Sequence, residues 1–296
     1  MTTVDDTFAE AFPMAGTRLI ITAADMDLAR TAAREFCGNA SSVIGCDAEA
    51  GIERTLSGAS TPDGRPGISV LAFAFSRKDL EKAVSARVGQ NVLTCPTTAC
   101  YAGLESVTEK EIKLGSILRY FGDGNQISKK FGARRIWRLP VMDGEFIIDD
   151  VVGTVKGVGG GNLIATGADS LACLAAMQQA VAKIRELEDV ILPFPSGIVR
   201  SGSKVGSKYP KLKASTNDAW CPTLRDLPEC QLGPEENVAY EIVIDGLSET
   251  AVREAMRVGL QSLRNSPAIH RISAGNYGGK LGPFHFRLRD LEDAGN

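Results

Sequence analysis

The chain is poor in the side chains that most catalytic centres use. Only two histidines, His270 and His285, occur among 296 residues. Both lie in strand-like contexts, which leaves few options for a Ser-His or Cys-His nucleophile and almost none for a histidine metal cluster. Seven cysteines are scattered, at 37, 46, 95, 100, 173, 221 and 230, with no C-x-x-C pair. An odd, dispersed set argues against a disulfide framework and against zinc, and for free thiols in a reducing cytosol. No apolar run reaches membrane-spanning length. The opening "MTTVDDTFAEAF" lacks the basic n-region and apolar h-region of a secretory signal, so a cytoplasmic protein is expected. The formal net charge is only −3, so bulk charge implies no polyanion-binding surface and no nucleic-acid partner is expected, although net charge leaves room for a local basic patch.

What is present is ample apolar material, 44% of the chain, enough for one large or two modest cored domains. The first half reads as strand (Thr17–Ala23), helix ("DMDLARTAAREFCG"), strand ("SSVIGCD"), strand ("ISVLAFAF"), helix ("SRKDLEKAVSARVG") and strand ("NVLTC"). The second half repeats the order with "GGNLIATG", "ADSLACLAAMQQAVAKIRELEDV", "DVILPFP", "VAYEIVIDGL", "SETAVREAMRVGLQSLRNS" and "HRISAG". A final strand is expected over "PFHFRLRDL". Ser248 is the expected N-cap of the last long helix. An α+β fold follows: two ferredoxin-like lobes, each a split β-α-β sandwich, over residues 1–150 and 151–296. A hairpin-rich connection, Ser116 to Gly153, lies between them, with "GDG" and "DG" as turn signals. The duplication is one of topology, with no residue-level repeat.

Three loops in the second half carry the chemistry-bearing residues. "RISAGNYGGKLG" fails as a phosphate loop: only three residues separate Gly275 from Gly279-Lys280, Leu281 follows, and a strand rather than a helix comes next. "FPSGIVRSGSKVGSKY" and "ASTNDAWCPT" are the others. Together the three offer lysines (Lys204, Lys208, Lys280), hydroxyls (Ser203, Ser215, Thr216), amides (Asn217, Asn276) and many glycines. Each alone reads equally well as a turn with solvated lysines. Three in one lobe point to a site for a large anionic ligand. In "YEIVID" one carboxylate, Glu241, sits among apolar neighbours. Burial would raise its pKa toward proton transfer; spacing alone fits a solvated glutamate on an exposed sheet face equally well.

At these loops the sequence resembles the formylmethanofuran–tetrahydromethanopterin formyltransferase family. "DDTFAEAF", "TPDGRPG", "YFGDG", "GEF", "SKVGSK", "STNDAWCPT", "YEIVIDGL" and "ISAGNYGGKLG" occur in the family's order from Asp5 to Gly282. The resemblance implies two ferredoxin-like lobes and transfer of a formyl group between N5 of tetrahydromethanopterin and the amine of methanofuran. Both carriers are substrates with anionic tails, and no metal or prosthetic group is needed. It further implies direct acyl transfer in a ternary complex, with Glu241 relaying the amine's proton. Substrate contacts are implied for Ser203, Lys204, Lys208, Ser215, Thr216, Asn217, Asp218, Asn276 and Lys280, and for Thr97 in "TCPTTAC" and Asp123 in "YFGDG". A formyl-enzyme on Cys95 is disfavoured, because related sequences can carry alanine there. "SAGNYGGKLG" is implied to serve the substrate cleft and subunit contact.

"RYFGDGNQISK", "RSGSKVGSKY" and "GPFHFRLRDL" look like the bacterial form, one subunit of a formyltransferase/hydrolase complex in the oxidation of formaldehyde to formate. The family also implies homo-oligomers, tetramers or dimers of dimers. Ser196 departs from it, standing where glycine is expected, so its bulk either narrows the cleft or is tolerated. The rival reading is a non-catalytic scaffold subunit of the same complex.

Overall fold

The computed structural model describes residues 2–104 and 111–293. In chain order, β1 (Thr3–Val4) and β2 (Phe8–Thr22) lead to α1 (Met26–Cys37), β3 (Glu49–Leu56), β4 (Gly67–Ala74), α2 (Arg77–Arg87) and β5 (Ala99–Ala102). Then come β6 (Glu111–Ile112), α3 (Leu114–Leu118), β7 (Ile127–Phe131), β8 (Arg134–Val141), β9 (Gly144–Asp149) and β10 (Val152–Gly153). After these follow β11 (Val155–Gly167), α4 (Ser170–Ile184), β12 (Val190–Ile191), β13 (Val238–Gly246), α5 (Glu249–Arg264), β14 (Arg271–Ser273), β15 (Phe284–Arg287) and α6 (Leu288–Asp293). The result is a mixed α+β architecture.

The chain divides into two compact units. One spans Met14–Gly157; the other joins Val158–Asn296 to the N-terminal residues through Pro13. This differs from a single boundary near residue 150. The physical reason lies in β2, whose first residues, Phe8–Ala11, pair antiparallel with β15 near the C-terminus.

In the Met14–Gly157 unit the strands run in the order β3, β4, β2, β5, antiparallel throughout. The hairpin-built strands β9, β8 and β7 extend the sheet from β5. All eight residues of β4 are buried, as its largely apolar run predicts, and the one polar side chain, Ser69, donates to Glu53 at 2.6 Å. Helix α1 buries Ala29, Ala32, Ala33 and Phe36, the i, i+3, i+4, i+7 set of one face. These pack with Leu80 and Val84 of α2 into one core.

In the second unit the order is β12, β13, β11, β14, antiparallel, with β1 added parallel to β14. Helices α4 and α5 cover this sheet, burying Met177, Val181 and Ile184 of the first and Val252, Met256, Leu260 and Leu263 of the second. Ser248 caps α5, its side chain accepting from the Ala251 amide at 3.1 Å.

Several expected elements are corrected. Ser41–Asp47 is a turn, with the Gly45 and Cys46 amides both bonding Ser42 O, and the strand starts at Glu49. "NVLTC" is not a strand: α2 runs on into a π-turn over Val88–Val92, closed by Leu93 N to Val88 O, and β5 begins at Ala99. "PFHFRLRDL" is a strand only to Arg287 and then turns helical. "GDG" is not a hairpin tip. Asp123, at φ 49°, ends a single turn Arg119–Gly122, because Asp-Gly supports positive φ at helix ends as well as in hairpins. The "DG" at Asp143–Gly144 does close the β8–β9 hairpin.

Candidate active site

Glu241 lies in the middle of β13, opposite Ile164 of β11. On its other side the chain after α4 returns as an isolated bridge: Val199 N donates to Glu241 O at 2.7 Å and Glu241 N to Val199 O at 3.0 Å. Both flanks of the strand are thus covered at this point, and the glutamate is only 3% exposed. The buried reading of "YEIVID" prevails over the solvated one. Its carboxylate accepts from the Ser203 amide at 2.8 Å and the Ser203 hydroxyl at 2.6 Å. Burial pushes its pKa up from the ordinary 4.5 to about 7, against the pull of these two donors. A carboxyl poised there can take or give a proton near neutrality. It borders a small cleft lined also by Gly202, Asn217, Trp220, Cys221 and Tyr240.

The segment around it gathers most of the sequence-derived candidates. Lys204 Nζ pairs with Asp218 at 2.6 Å, and that bond with the lysine holds the aspartate below its ordinary pKa. The Ser215 hydroxyl donates to Gly206 O at 2.7 Å, and Asn217 N to Ser201 O at 2.9 Å. Thr216 Oγ1 lies 3.5 Å from both Ser201 O and Cys221 Sγ. Gly202 has φ +74°, and a Cβ there would sit 2.3 Å from the Asn217 side chain, so the close approach of these two loops requires glycine. Lys208 and Lys280 are exposed and form no ion pair with a described residue.

The loop Arg271–Gly282 has a ligand of its own. Glu10, on β2 and 2% exposed, places its carboxylate inside it. Tyr277 N and Gly279 N donate to Oε2 at 2.7 and 3.0 Å; Gly282 N donates to Oε1 at 2.9 Å, and Leu281 N to the same oxygen. Burial alone would raise the Glu10 pKa; the four amides outweigh it and hold the carboxyl below its ordinary value. Gly278 and Gly279 lie at φ +69° and +76°, the left-handed conformation that turns successive amides inward. The glycines do cradle an anion, and that anion is the protein's own. Asn276 is engaged in the same fold, its amide donating to Thr7 Oγ1 and Phe8 O. Tyr277 reaches the Glu241 segment: its hydroxyl accepts from Val205 N at 2.6 Å and donates to Ser203 O at 3.4 Å. Sequence reasoning missed Glu10 and Tyr277. The signal for Glu10 was present in "FAEAF", a charge among apolar strand residues, the same pattern that singled out Glu241.

Thr97 and Asp123 belong to the Met14–Gly157 unit, not to the unit that holds Glu241. Thr97, at φ 64°, receives Ala24 N on its hydroxyl and donates its own amide to Asp143 at 2.7 Å. Cys95 shares that unit; burial and the nearby Asp25 charge raise its pKa, which keeps the thiol protonated and a poor nucleophile. Ser196 is exposed with φ 56°, so the place expected to hold glycine is a left-handed position occupied by serine. Among the described residues, no three His, Cys, Asp or Glu side chains converge as metal ligands, and no helix is long and apolar enough to cross a membrane.

The family model described as formylmethanofuran-tetrahydromethanopterin formyltransferase matches residues 1–141, and that for the family's proximal lobe matches residues 144–291. The chain belongs to this family. Among other formyltransferases, it is 54% identical to one from Methylococcus capsulatus that bears the same description, over 97% of each chain. It is 50% identical to a subunit of the formyltransferase/hydrolase complex of Methylorubrum extorquens, over 97% of this chain and 95% of that one. The crystal structure of the Methylorubrum extorquens complex with methylofuran contains a chain that superposes with TM-score 0.93 at 49% identity, covering 97% and 96% of the two chains. The Methanosarcina barkeri formyltransferase superposes with TM-score 0.91 at 44% identity, over 98% of each.

Proposed function

We propose that the chain transfers a formyl group between N5 of tetrahydromethanopterin and the amine of methanofuran. The observation that carries this reading is the Glu241 carboxyl, buried, held by Ser203 and poised at about 7, in a chain that matches the formyltransferase family along its length. Acyl transfer between two amines needs a group that accepts a proton from the attacking nitrogen and returns it to the leaving one. A carboxyl with its pKa near working pH does both. The amine attacks the formyl carbon, a tetrahedral oxyanion forms, and its collapse releases the first nitrogen. Holding both carriers in one complex supplies the proximity, and the backbone amide of Gly202, next to the two Ser203 donors that Glu241 takes, is the candidate to face the oxyanion. Ser203 bonds Glu241 and Asn217 lines the cleft beside it; Lys204, Ser215, Thr216 and Asp218, on the same two loops, are the proposed carrier contacts, and the exposed Lys208 and Lys280 offer charge to the anionic carrier tails.

The fold reading is two ferredoxin-like lobes. The order β-α-β-β-α-β in each unit supports it, as does the shared strand arrangement second, third, first, fourth. The similarity to the Methylorubrum extorquens subunit supports a place in a formyltransferase/hydrolase complex, with this chain as the transferase component; a cytoplasmic location and a homo-oligomeric state belong to the same reading and rest on the family resemblance of the sequence alone. Transfer from 5-formyl-tetrahydromethanopterin to methanofuran by the purified chain tests the activity. Stoichiometric formylmethanofuran is expected. A correctly folded chain that binds both carriers and transfers nothing, alone or assembled with hydrolase subunits, is the outcome against it.

A further inference from the structure

We propose that Glu10 is a positioning residue for Glu241, acting through the Tyr277 hydroxyl. The inference rests on the role given to Glu241 above. Its chain of contacts is continuous within one unit of the fold. The Glu10 carboxylate gathers the amides of Tyr277, Gly279, Leu281 and Gly282 and so fixes the loop on β2. The same loop presents the Tyr277 hydroxyl to the backbone of Ser203 and Val205. Ser203 is the residue whose amide and hydroxyl bind the Glu241 carboxylate. Ser203 sits outside any strand ladder, between the isolated bridges Val199–Glu241 and Val205–Ala214. Its neighbours Ser201 and Lys204 are tied to Asn217, Ser215 and Asp218, and the Tyr277 hydroxyl adds a bond to the Ser203 carbonyl itself. The chemistry of Glu10 suits this role, since an ionised carboxylate can receive four N–H donors and a neutral side chain cannot.

The groups that face Glu241 are few. Ser203 donates to it; Lys204 is nearby and paired with Asp218; Tyr277 stands on the opposite loop; Arg200, Cys221 and Tyr240 border the cleft. Neighbouring β11 brings the apolar Ile164. Loosening Ser203 therefore removes the two donors that favour the ionised form, and the Glu241 titration moves upward.

The test is a carboxyl-detected NMR titration of the full chain, with the Glu241 signal assigned by its loss in Glu241→Gln. It is run on wild type, Tyr277→Phe, Glu10→Gln and the double variant. Tyr277→Phe keeps the ring and removes only the hydroxyl, so it remains informative if Glu10→Gln does not fold. Both single variants are expected to raise the Glu241 midpoint, and the double variant to raise it no further than the larger single effect. The ascending limb of formyl transfer against pH is expected to move by the same amount. An unchanged Glu241 midpoint in folded Tyr277→Phe overturns the proposal and leaves Glu10 as a loop anchor. A raised midpoint in a chain that transfers no formyl group upholds the positioning link and removes the functional reading instead.

Discussion

At Glu241 one residue carries opposing demands. Its carboxyl is buried at 3% exposure, with no cation among the described residues bonded to it, so the ionised form is disfavoured in the fold and unpenalised in the unfolded chain. The sign follows. With the pKa raised from 4.5 to about 7, the folded state binds more protons between those values, so stability declines as pH rises through that window and stays lower above it. The difference corresponds to about 3 kcal/mol. Glu241→Gln is therefore expected to melt above wild type at pH 8 to an extent on that order, and to lose its advantage below about pH 4.5, where both side chains are neutral. Thermal melts at the two pH values check this; an equal difference at both would contradict it. Ser196 bears a smaller strain. At φ 56° it occupies glycine's region, and Ser196→Gly is expected to raise stability by about 0.5 kcal/mol, relief of the left-handed penalty exceeding the added chain entropy. Denaturant unfolding resolves that. The sequence showed Glu241 as an anomaly in an apolar strand but left its burial open, because burial depends on Val199 and Ser203 returning from about forty residues earlier.

At the scale of elements, legibility followed periodicity. The long helices α1, α2, α4 and α5 and the buried strand β4 were readable because their apolar spacing is set by their own residues. The failures share a cause. "SSVIGCD", "NVLTC" and "RLRDL" are short, and their conformation is decided by neighbouring turns rather than by their own pattern. The loop Arg271–Gly282 was legible only as one of three glycine- and lysine-bearing loops pointing to an anionic ligand, and not as a cradle already occupied, since its partner Glu10 lies at the far end of the chain. Because the Glu10 pKa is held low, its hold on the loop is complete above the ordinary carboxylate range and is lost as pH falls through its folded value. Protection of the Tyr277, Gly279, Leu281 and Gly282 amides against hydrogen exchange is thus expected to collapse on acidification before that of β13. Simultaneous loss with β13 would mean that the loop opens only on global unfolding.

For the whole molecule, two units share the chain discontinuously. The second takes its first residues from the N-terminal segment through Pro13, and those residues supply both the β15 partner and the Glu10 carboxylate. A polypeptide of residues 158–296 lacks both. It is expected to show no cooperative thermal transition, while the same polypeptide with residues 1–13 added as a separate peptide or by circular permutation regains one. A sharp melt for 158–296 alone would contradict that dependence. The sequence read as two lobes of equal status because each carries the same order of elements; the crossover of the N-terminus is a tertiary pairing that local pattern does not encode.

The role proposed for Glu241 is to handle the proton of formyl transfer. The measurement that tests it most directly is the rate of formyl transfer by Glu241→Gln at pH 7, with both carriers saturating and the fold verified by its melt. A loss on the order of 10²- to 10⁴-fold in kcat is predicted, with the affinities for the carriers little changed. A rate equal to that of wild type would contradict the account and remove Glu241 from the chemistry.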